Sequence, residues 1–389
     1  PDVNEERRGP RVEAPKKAID GFLRSLGLTL ADLEKRETEK GAFYFSQISK
    51  EGQQTSNVLK ELLEDAISKV NWPKSMRWST NSDRWVRPIH SLICIFDKEV
   101  IPLRFGDCVA GRRTSAHRFL TNTAIDVTDF ADYKNTLETG YVMIDSNDRQ
   151  AKIKGDIEGL ALKEGLKLVE DQELLEEVAG LVEWPVALMG SIDDSFMGIP
   201  EEILTTTMRK NQKYFALITS EGNLAPKFIM VANKETADSG ASIISGNERV
   251  LRSRLADAKF FWDQDRKTSL ESRIPQLQNI TFHAQLGTVG DKVDRVKKIA
   301  VSVANTIQAN KDQVARAAQL SKADLVTEIV IEFPEVQGII GGYYALNDGE
   351  SKEVSQAIRE HYAPIGPSDF CPGNPISVAV SIADKVDTL

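Results

Sequence analysis

Residues 246–267 read GNERVLRSRLADAKFFWDQDRK, and this stretch decides the fold. Leu251, Leu255, Ala258 and Trp262 recur at helical spacing and form the apolar stripe of an amphipathic helix. Arg249, Arg252 and Lys259 fall towards another face. Glu248 stands four residues before Arg252, the favourable order for a helical ion pair. Beyond Asn247 nearly every segment keeps this period, over 247–263, 267–278, 289–309, 312–331, 350–361 and 375–389. Before it, strands are separated irregularly by helices, which favours α+β over a regularly alternating parallel sheet. The expected fold is α+β: a mixed α/β body over 68–268, then an all-helical domain over 269–389.

Working towards the N-terminus, YFALIT and KFIMVAN flank SEGNLAP as a hairpin, and WPVALMGSI reads as a strand. Pro200–Asn211 reads as a helix with proline in its first turn. Asp145 or Ser146 caps a helix running to about Gly165, and another covers 171–180. SLICIF and VIPLRF enclose Asp97–Lys98, which predicts a hairpin with a short turn. Residues 1–67 form an N-terminal helical and linker segment. Its first 14 residues are polar and expected to be flexible. A helical run follows over Ala18–Leu26, and Thr29 heads LTLADLEKR as the N-cap of a second short helix. AFYFSQIS (42–49) alternates as a strand. Asn57–Val70 is an amphipathic helix carrying Leu59, Leu62, Leu63, Ala66, Ile67 and Val70.

The chain has 389 residues, which suggests two or three domains at about 150 residues each. Its 41% hydrophobic residues can fill sizeable cores. Lys+Arg 49 against Asp+Glu 58 gives a net charge of −9. That excludes a wholly basic nucleic-acid coat but leaves room for a local basic surface. Cys94, Cys108 and Cys371 are too far apart in sequence for a metal-type pair or a disulfide framework, so a reducing cytoplasm is expected. No apolar run approaches the roughly 18–20 residues needed to cross a bilayer. The first residues lack the apolar centre of a signal peptide. With no initiator Met and an end inside the helix-like SIADKVDTL, the chain is expected to be a fragment.

Four constellations could carry chemistry. Between Ser68 and Leu120 ten Lys and Arg residues stand against four acidic ones, interleaved with Trp72, Trp78 and Trp85. Within them GRRTSAHRF holds Arg112, Arg113, His117 and Arg118. Guanidinium groups suit phosphate oxygens and aromatic rings stack on unpaired bases, though the same arginines would also cover strand edges or pair with acidic neighbours. MRKNQKYF (208–215) places Arg209, Lys210 and Lys213 at a helix C-terminus, where they either contact phosphate or complement the helix dipole. The third is the arginine face of 246–267, with Arg249 and Arg252. The fourth spans DKVDRV, LSKADLVTEIV, REHYAP and ADKVDTL, whose texture resembles an HD-type metal phosphohydrolase. Lys292 stands where that family's first His is expected, and Ala323 precedes Asp324 where it has a second. Asp384 or Asp387 matches its final Asp. Two lost imidazoles and an added ammonium argue against a working dinuclear metal site. His361 alone fits a helix-end or surface histidine better than a ligand. Neither a P-loop, a dinucleotide fingerprint, HExxH nor GxSxG is present.

LLEEVAGLVEWPVAL, PEEILTTTMRKNQKYF, GNLAPKFIMVAN, the GNERV block, QLGTVGDKVDR, LSKADLVTEIVIEFPEVQGIIGGYYA and SVAVSIADKVDTL together resemble the beta subunit of bacterial glycyl-tRNA synthetase. RWVRPIHSL and GRRTSAHRF fit the same family, and the resemblance runs over nearly the whole chain in order. It implies a heteromeric glycine–tRNA ligase whose separate alpha subunit activates glycine with ATP and Mg, so this chain itself carries no cofactor, no metal and no catalytic residue. The beta subunit is then expected to bind tRNA(Gly) and complete the assembly in the cytoplasm, without DNA or membrane partners. It further implies an editing-type synthetase domain over about 68–265 and a degenerate HD-like domain over about 270–389. The family's N-terminal segment and C-terminal anticodon-binding domain would be missing. Two departures stand out: Asn211 replaces a frequent His before QKYF, and IIGGYY replaces a frequent Met-Gly pair. The rival readings are a metal-dependent phosphohydrolase and a hydrolytic editing module.

Overall fold

The computed structural model describes residues 2–121 and 123–389. They fall into two compact units, Pro1–Gly140 and Tyr141–Leu389, a different division from the boundaries expected at 68 and 269.

In the first unit β1 (Val3–Arg11), β2 (Glu34–Thr38) and β3 (Gly41–Lys50) form an antiparallel sheet in the order β1-β3-β2. α1 (Lys16–Leu26) joins β1 to β2. The stretch expected to be flexible is thus largely strand. Its side chains are nearly all polar, so hydropathy conceals it, while pairing to β3 and the Arg8 guanidinium 3.8 Å above the Phe43 ring secure it. Pro10 is tolerated because β1 is an edge strand. The helix expected after Thr29 is a single 3₁₀ turn, Leu30–Asp32. The Asp32 carboxylate accepts from both Thr29 N and Oγ1, closing the turn before β2 begins.

α2 (Thr55–Lys69) follows, leaving Val58 and Leu62 exposed. The expected hairpin is present as β4 (Ile95–Phe96) and β5 (Glu99–Val100). Asp97 and Lys98 both take positive φ, 49° and 67°, as a type I′ turn requires. Two more small hairpins pair β6 (Arg104–Phe105) with β7 (Cys108–Val109) and β8 (Arg113–Ser115) with β9 (Ala124–Asp126). α3 (Phe130–Thr139), capped by Asp129, closes the unit.

The second unit opens with α4 (Ser146–Lys163), capped by Asp145, then β10 (Lys167–Leu168), α5 (Gln172–Leu181), β11 (Val186–Ser191) and α6 (Glu201–Thr206). After β12 (Phe215–Ile218) and β13 (Leu224–Ala232) comes α7 (Ala241–Asp265). The strands form an antiparallel sheet in the order β10-β12-β13-β11. Alternate residues point to opposite faces. Phe215, Leu217 and Ile229 join the α4 and α5 side chains Ile153, Ile157, Leu174 and Val178. Phe228 and Met230 face the α7 stripe of Leu251, Leu255, Ala258 and Trp262. The helix expected over Pro200–Asn211 changes pitch: Thr207–Gln212 is a π turn ending at Lys213 in the left-handed region, and Tyr214 then enters the core, stacked 4.5 Å from Phe228.

The rest of the unit is mainly helical. α8 (Leu270–Arg273) continues as a 3₁₀ segment over Ile274–Asn279, and a small hairpin of β14 (Thr281–His283) and β15 (Gly287–Thr288) interrupts the helices. Then come α9 (Val289–Ile307), α10 (Lys311–Leu320), α11 (Glu328–Glu332), α12 (Ile339–Asn347), α13 (Lys352–Glu360) and α14 (Pro375–Thr388). The single helix expected over 312–331 is broken by a 3₁₀ turn at Ala323–Val326. On a continuous helix Lys322 and Asp324 would point about 200° apart. The break lets both reach buried partners. α12 escaped the sequence reading because IIGGYYALN is apolar all round and has no stripe. One apolar cluster runs from Phe228 through α7 into α9, α10, α12, α13 and α14, so the core continues across residue 268.

Gly190 on β11 lies against Phe228, and a Cβ there would fall 2.5 Å from Phe228 Cζ. Gly190→Ala is therefore expected to lower stability by about 1–3 kcal/mol in urea unfolding. An unchanged midpoint would show that the Phe228 ring moves aside without cost.

Candidate functional site

The basic residues singled out from the sequence meet different fates. In the π turn, Arg209 is gripped by Asp171 and by Glu173 at 3.0 Å. Lys210 pairs with Glu335 at 2.6 Å and Lys213 with Glu177 at 2.7 Å. These three cations tie the turn to α5 and to the segment before α12. Asn211 beside them is exposed.

On α7 the arrangement is the opposite. Glu248 does not hold Arg252 but turns to the sheet, accepting from Ser191 N at 2.8 Å on the outer edge of β11. Arg252 has only Asp193 at 3.9 Å, and among the described residues no carboxylate pairs with Arg249. Both guanidinium groups are exposed. Lys259, expected on the same face, pairs with Asp263. In the first unit Arg113 is on β8, exposed, and bridged to Asp126 at 3.0 Å. Arg112 is half-buried and donates to Lys98 O, while Arg118 is exposed. His117 is buried, with Nδ1 accepting from Phe119 N, so it stands beneath the arginine surface rather than on it.

The fourth constellation does converge. Lys292 on α9, Asp384 and Asp387 on α14, and Asp324 in the 3₁₀ turn are all buried or nearly so. Lys292 Nζ lies 3.3 Å from Asp384 Oδ1 and 3.2 Å from Asp387 Oδ2, and donates to Thr388 Oγ1 at 2.8 Å. Two residues missed in the sequence complete the cluster. Lys322 pairs with Asp384 at 3.0 Å and lies 3.6 Å over the Tyr362 ring. Arg295 forks onto Asp387 at 2.6 and 3.1 Å. A signal for both existed in the paired DKVDR and LSKAD spacing of cations and carboxylates. Ala323 is buried beside them and offers no donor atom.

Asp324 takes a different role. Its Oδ2 accepts from Gly338 N at 2.5 Å and Gly341 N at 3.1 Å, capping the start of α12. Burial pushes its carboxyl up to about 6 despite these donors. A Cβ at Gly341 would meet this carboxylate at 2.9 Å and one at Gly342 would meet Ser355 O at 3.0 Å, which gives the glycine pair of IIGGYY a physical reason. Burial opposes ionisation of Asp384, but Lys322, His361 and Lys292 outweigh it and hold its carboxyl low. Among the described residues no three His, Cys, Asp or Glu side chains are grouped to hold a metal ion. The donors present have ammonium and guanidinium partners instead.

His361 ends α13 as expected of a helix-end histidine, but it is wholly buried, not at the surface. Its Nδ1 lies 2.6 Å from Ile358 O, and burial, helped by the charge on Lys322, pushes it down to about 3. Between about pH 6.5 and 3 the unfolded chain binds a proton there that the folded chain refuses, so His361 lowers stability on acidification. Asp324 has the opposite sign: between about pH 6 and 4 the folded chain keeps a proton that the unfolded one releases. The two offset each other. His361→Phe removes one side of this balance. From pH 6 to 4 its stability should rise relative to wild type by about 1.4 kcal/mol per pH unit in urea titrations. Parallel profiles would show that His361 titrates normally.

A family model described as glycyl-tRNA synthetase beta subunit matches residues 1–389. Proteins named glycine–tRNA ligase beta subunit from Rhodospirillum centenum, Ruegeria sp. and Chromohalobacter salexigens are 48%, 47% and 44% identical to the chain. All of the chain is covered in each case, against 58%, 58% and 57% of those proteins. The chain thus spans less than two thirds of the length of these relatives.

Proposed function

The chain belongs to the glycyl-tRNA synthetase beta-subunit family, and from that premise we propose that it binds tRNA(Gly) and assembles with a separate glycine-activating alpha subunit in the cytoplasm. In this reading ATP and Mg act on the alpha subunit, and the present chain positions the polynucleotide for charging. The observation that carries the reading is the contrast among its cations. Arg209, Lys210 and Lys213 are committed to carboxylates, whereas on α7 exposed Arg249 has no carboxylate partner among the described residues and exposed Arg252 has only Asp193 at 3.9 Å, in a chain of net charge −9. An acidic protein repels a polyanion at long range, so exposed, uncommitted guanidinium groups are what phosphate contacts require. In the first unit exposed Arg118, with exposed Arg113 bridged to Asp126 and half-buried Arg112, supplies a second candidate surface. The α+β body is read as resembling an editing-type domain that grips tRNA, and the helical part as an HD-like domain whose acidic positions are held by lysines. Nothing about that cluster favours phosphohydrolase chemistry over this reading, because Lys292 and Lys322 occupy the charge space among its carboxylates.

Titration of tRNA onto the chain at two salt concentrations tests the reading. Arg249→Ala with Arg252→Ala should weaken binding for tRNAs in general and reduce the salt slope by roughly one unit per lost contact. Arg112→Ala with Arg113→Ala should do the same, whereas Lys210→Ala should change stability more than binding. Wild-type affinity and slope in both double variants would make these arginines structural.

The chain alone should also give no glycine-dependent ATP–pyrophosphate exchange, because it carries no ATP-cradling motif. Exchange by the pure chain would contradict the assignment of glycine activation to the alpha subunit.

A further inference from the structure

The first unit contains a cavity of about 600 Å³. Trp72 and Phe105 wall it, and Lys74, Ser75, Asp83 and Arg84 are among the other residues that line it. Its size falls within the roughly 300–1,000 Å³ of small-ligand sites. Two features give it chemical direction. Asp83 is fixed by Gly106 N, which donates to its Oδ2 at 3.0 Å and leaves Oδ1 as an acceptor. Arg84 is oriented by Ser75, whose Oγ and O accept from its Nε and Nη2 at 3.0 and 3.4 Å, and Lys74 is exposed.

The aromatic wall is braced from behind. Trp85 packs edge to face against Trp72 at 5.0 Å and against Phe105 at 5.4 Å. A braced ring, one carboxylate acceptor and two cations match the parts of a nucleotide. The ring offers a stacking surface, and the carboxylate suits a base edge carrying an amine. The cations suit its phosphate. We infer that this cavity holds one unpaired RNA nucleotide whose base carries an exocyclic amine: cytosine, adenine or guanine. Uracil offers the Asp83 carboxylate only its ring N3–H, flanked on both sides by carbonyl oxygens that repel a carboxylate, and is the disfavoured base. The inference rests on the tRNA reading only in naming RNA as the source of the nucleotide.

The test uses the full chain with two short single-stranded probes, oligocytidylate and oligouridylate, read by tryptophan quenching and by anisotropy of a labelled end. Oligocytidylate should quench and bind at least about tenfold more tightly than oligouridylate. Trp72→Leu should remove the quench and weaken binding about tenfold or more, the usual scale for one stacked base. Circular dichroism reports whether that variant folds. If it does not, Lys74→Glu, an exposed change, decides by weakening oligocytidylate binding several-fold. Equal binding of the two probes, or wild-type binding by the variants, overturns the inference. Intact tRNA is titrated in parallel to separate the two ideas. Normal tRNA binding without probe selectivity sinks the cavity and leaves the functional reading standing. Selective probe binding without tRNA binding does the reverse.

Discussion

The carboxylate of Asp265, at the C-terminal end of α7, is the constraint on which the second unit depends. It is buried, and four groups from three elements converge on it. Arg273 Nη2 donates at 3.1 Å, Glu328 N at 3.2 Å, Ile329 N at 3.0 Å and Tyr344 Oη at 3.1 Å. One side chain thus caps α11, orders α8 and anchors α12, while Trp262 one turn earlier stacks on Tyr344 at 5.1 Å. A buried ion is tolerated only when its lone pairs are met in this way, and removing one partner of such a group typically costs about 3–5 kcal/mol. The helix that reads as the end of the α+β body is for this reason also the first beam of the helical part.

The cluster around Asp384 follows the same rule with a different outcome. Lys292, Lys322 and Arg295 bring three cations to Asp384 and Asp387, and Asp324 turns away to cap α12. Burial draws Lys322 down to about 8 even with Asp384 beside it, a measure of how dry this interior is. The carboxylates are neutralised by the chain's own ammonium and guanidinium groups. Positions that read in sequence as a degenerate HD-like set form a brace between α9 and α14.

Surface and interior charges also divide along lines that local sequence does not mark. MRKNQK and GNERVLRSR look equally basic, yet the cations of the first are absorbed into close ion pairs with α5 and the segment before α12, and those of the second are exposed with one long ion pair, Arg252 to Asp193. A phosphate contact needs the latter condition. Glu248 illustrates the cause: its expected partner four residues on loses to a backbone N–H at the edge of β11, because an edge strand offers a donor that is otherwise unpaired.

Much of this protein was legible from residue order alone. The stripes of α7, α9, α13 and α14, the alternation of β12 and β13, the Asp145 cap and the Asp97–Lys98 turn depend on near neighbours, and near neighbours are what a sequence displays. The long GNERV and FPEVQG blocks carried the family as well. Tertiary structure alone decided the rest. Polar β1 is a strand because β3 offers it an edge, and 312–331 breaks because Lys322 and Asp324 need partners on different sides. The core crosses residue 268 because Asp265 finds its donors some eight to eighty positions away. Which buried charge meets which partner is fixed by desolvation, and desolvation exists only once the chain has closed around it.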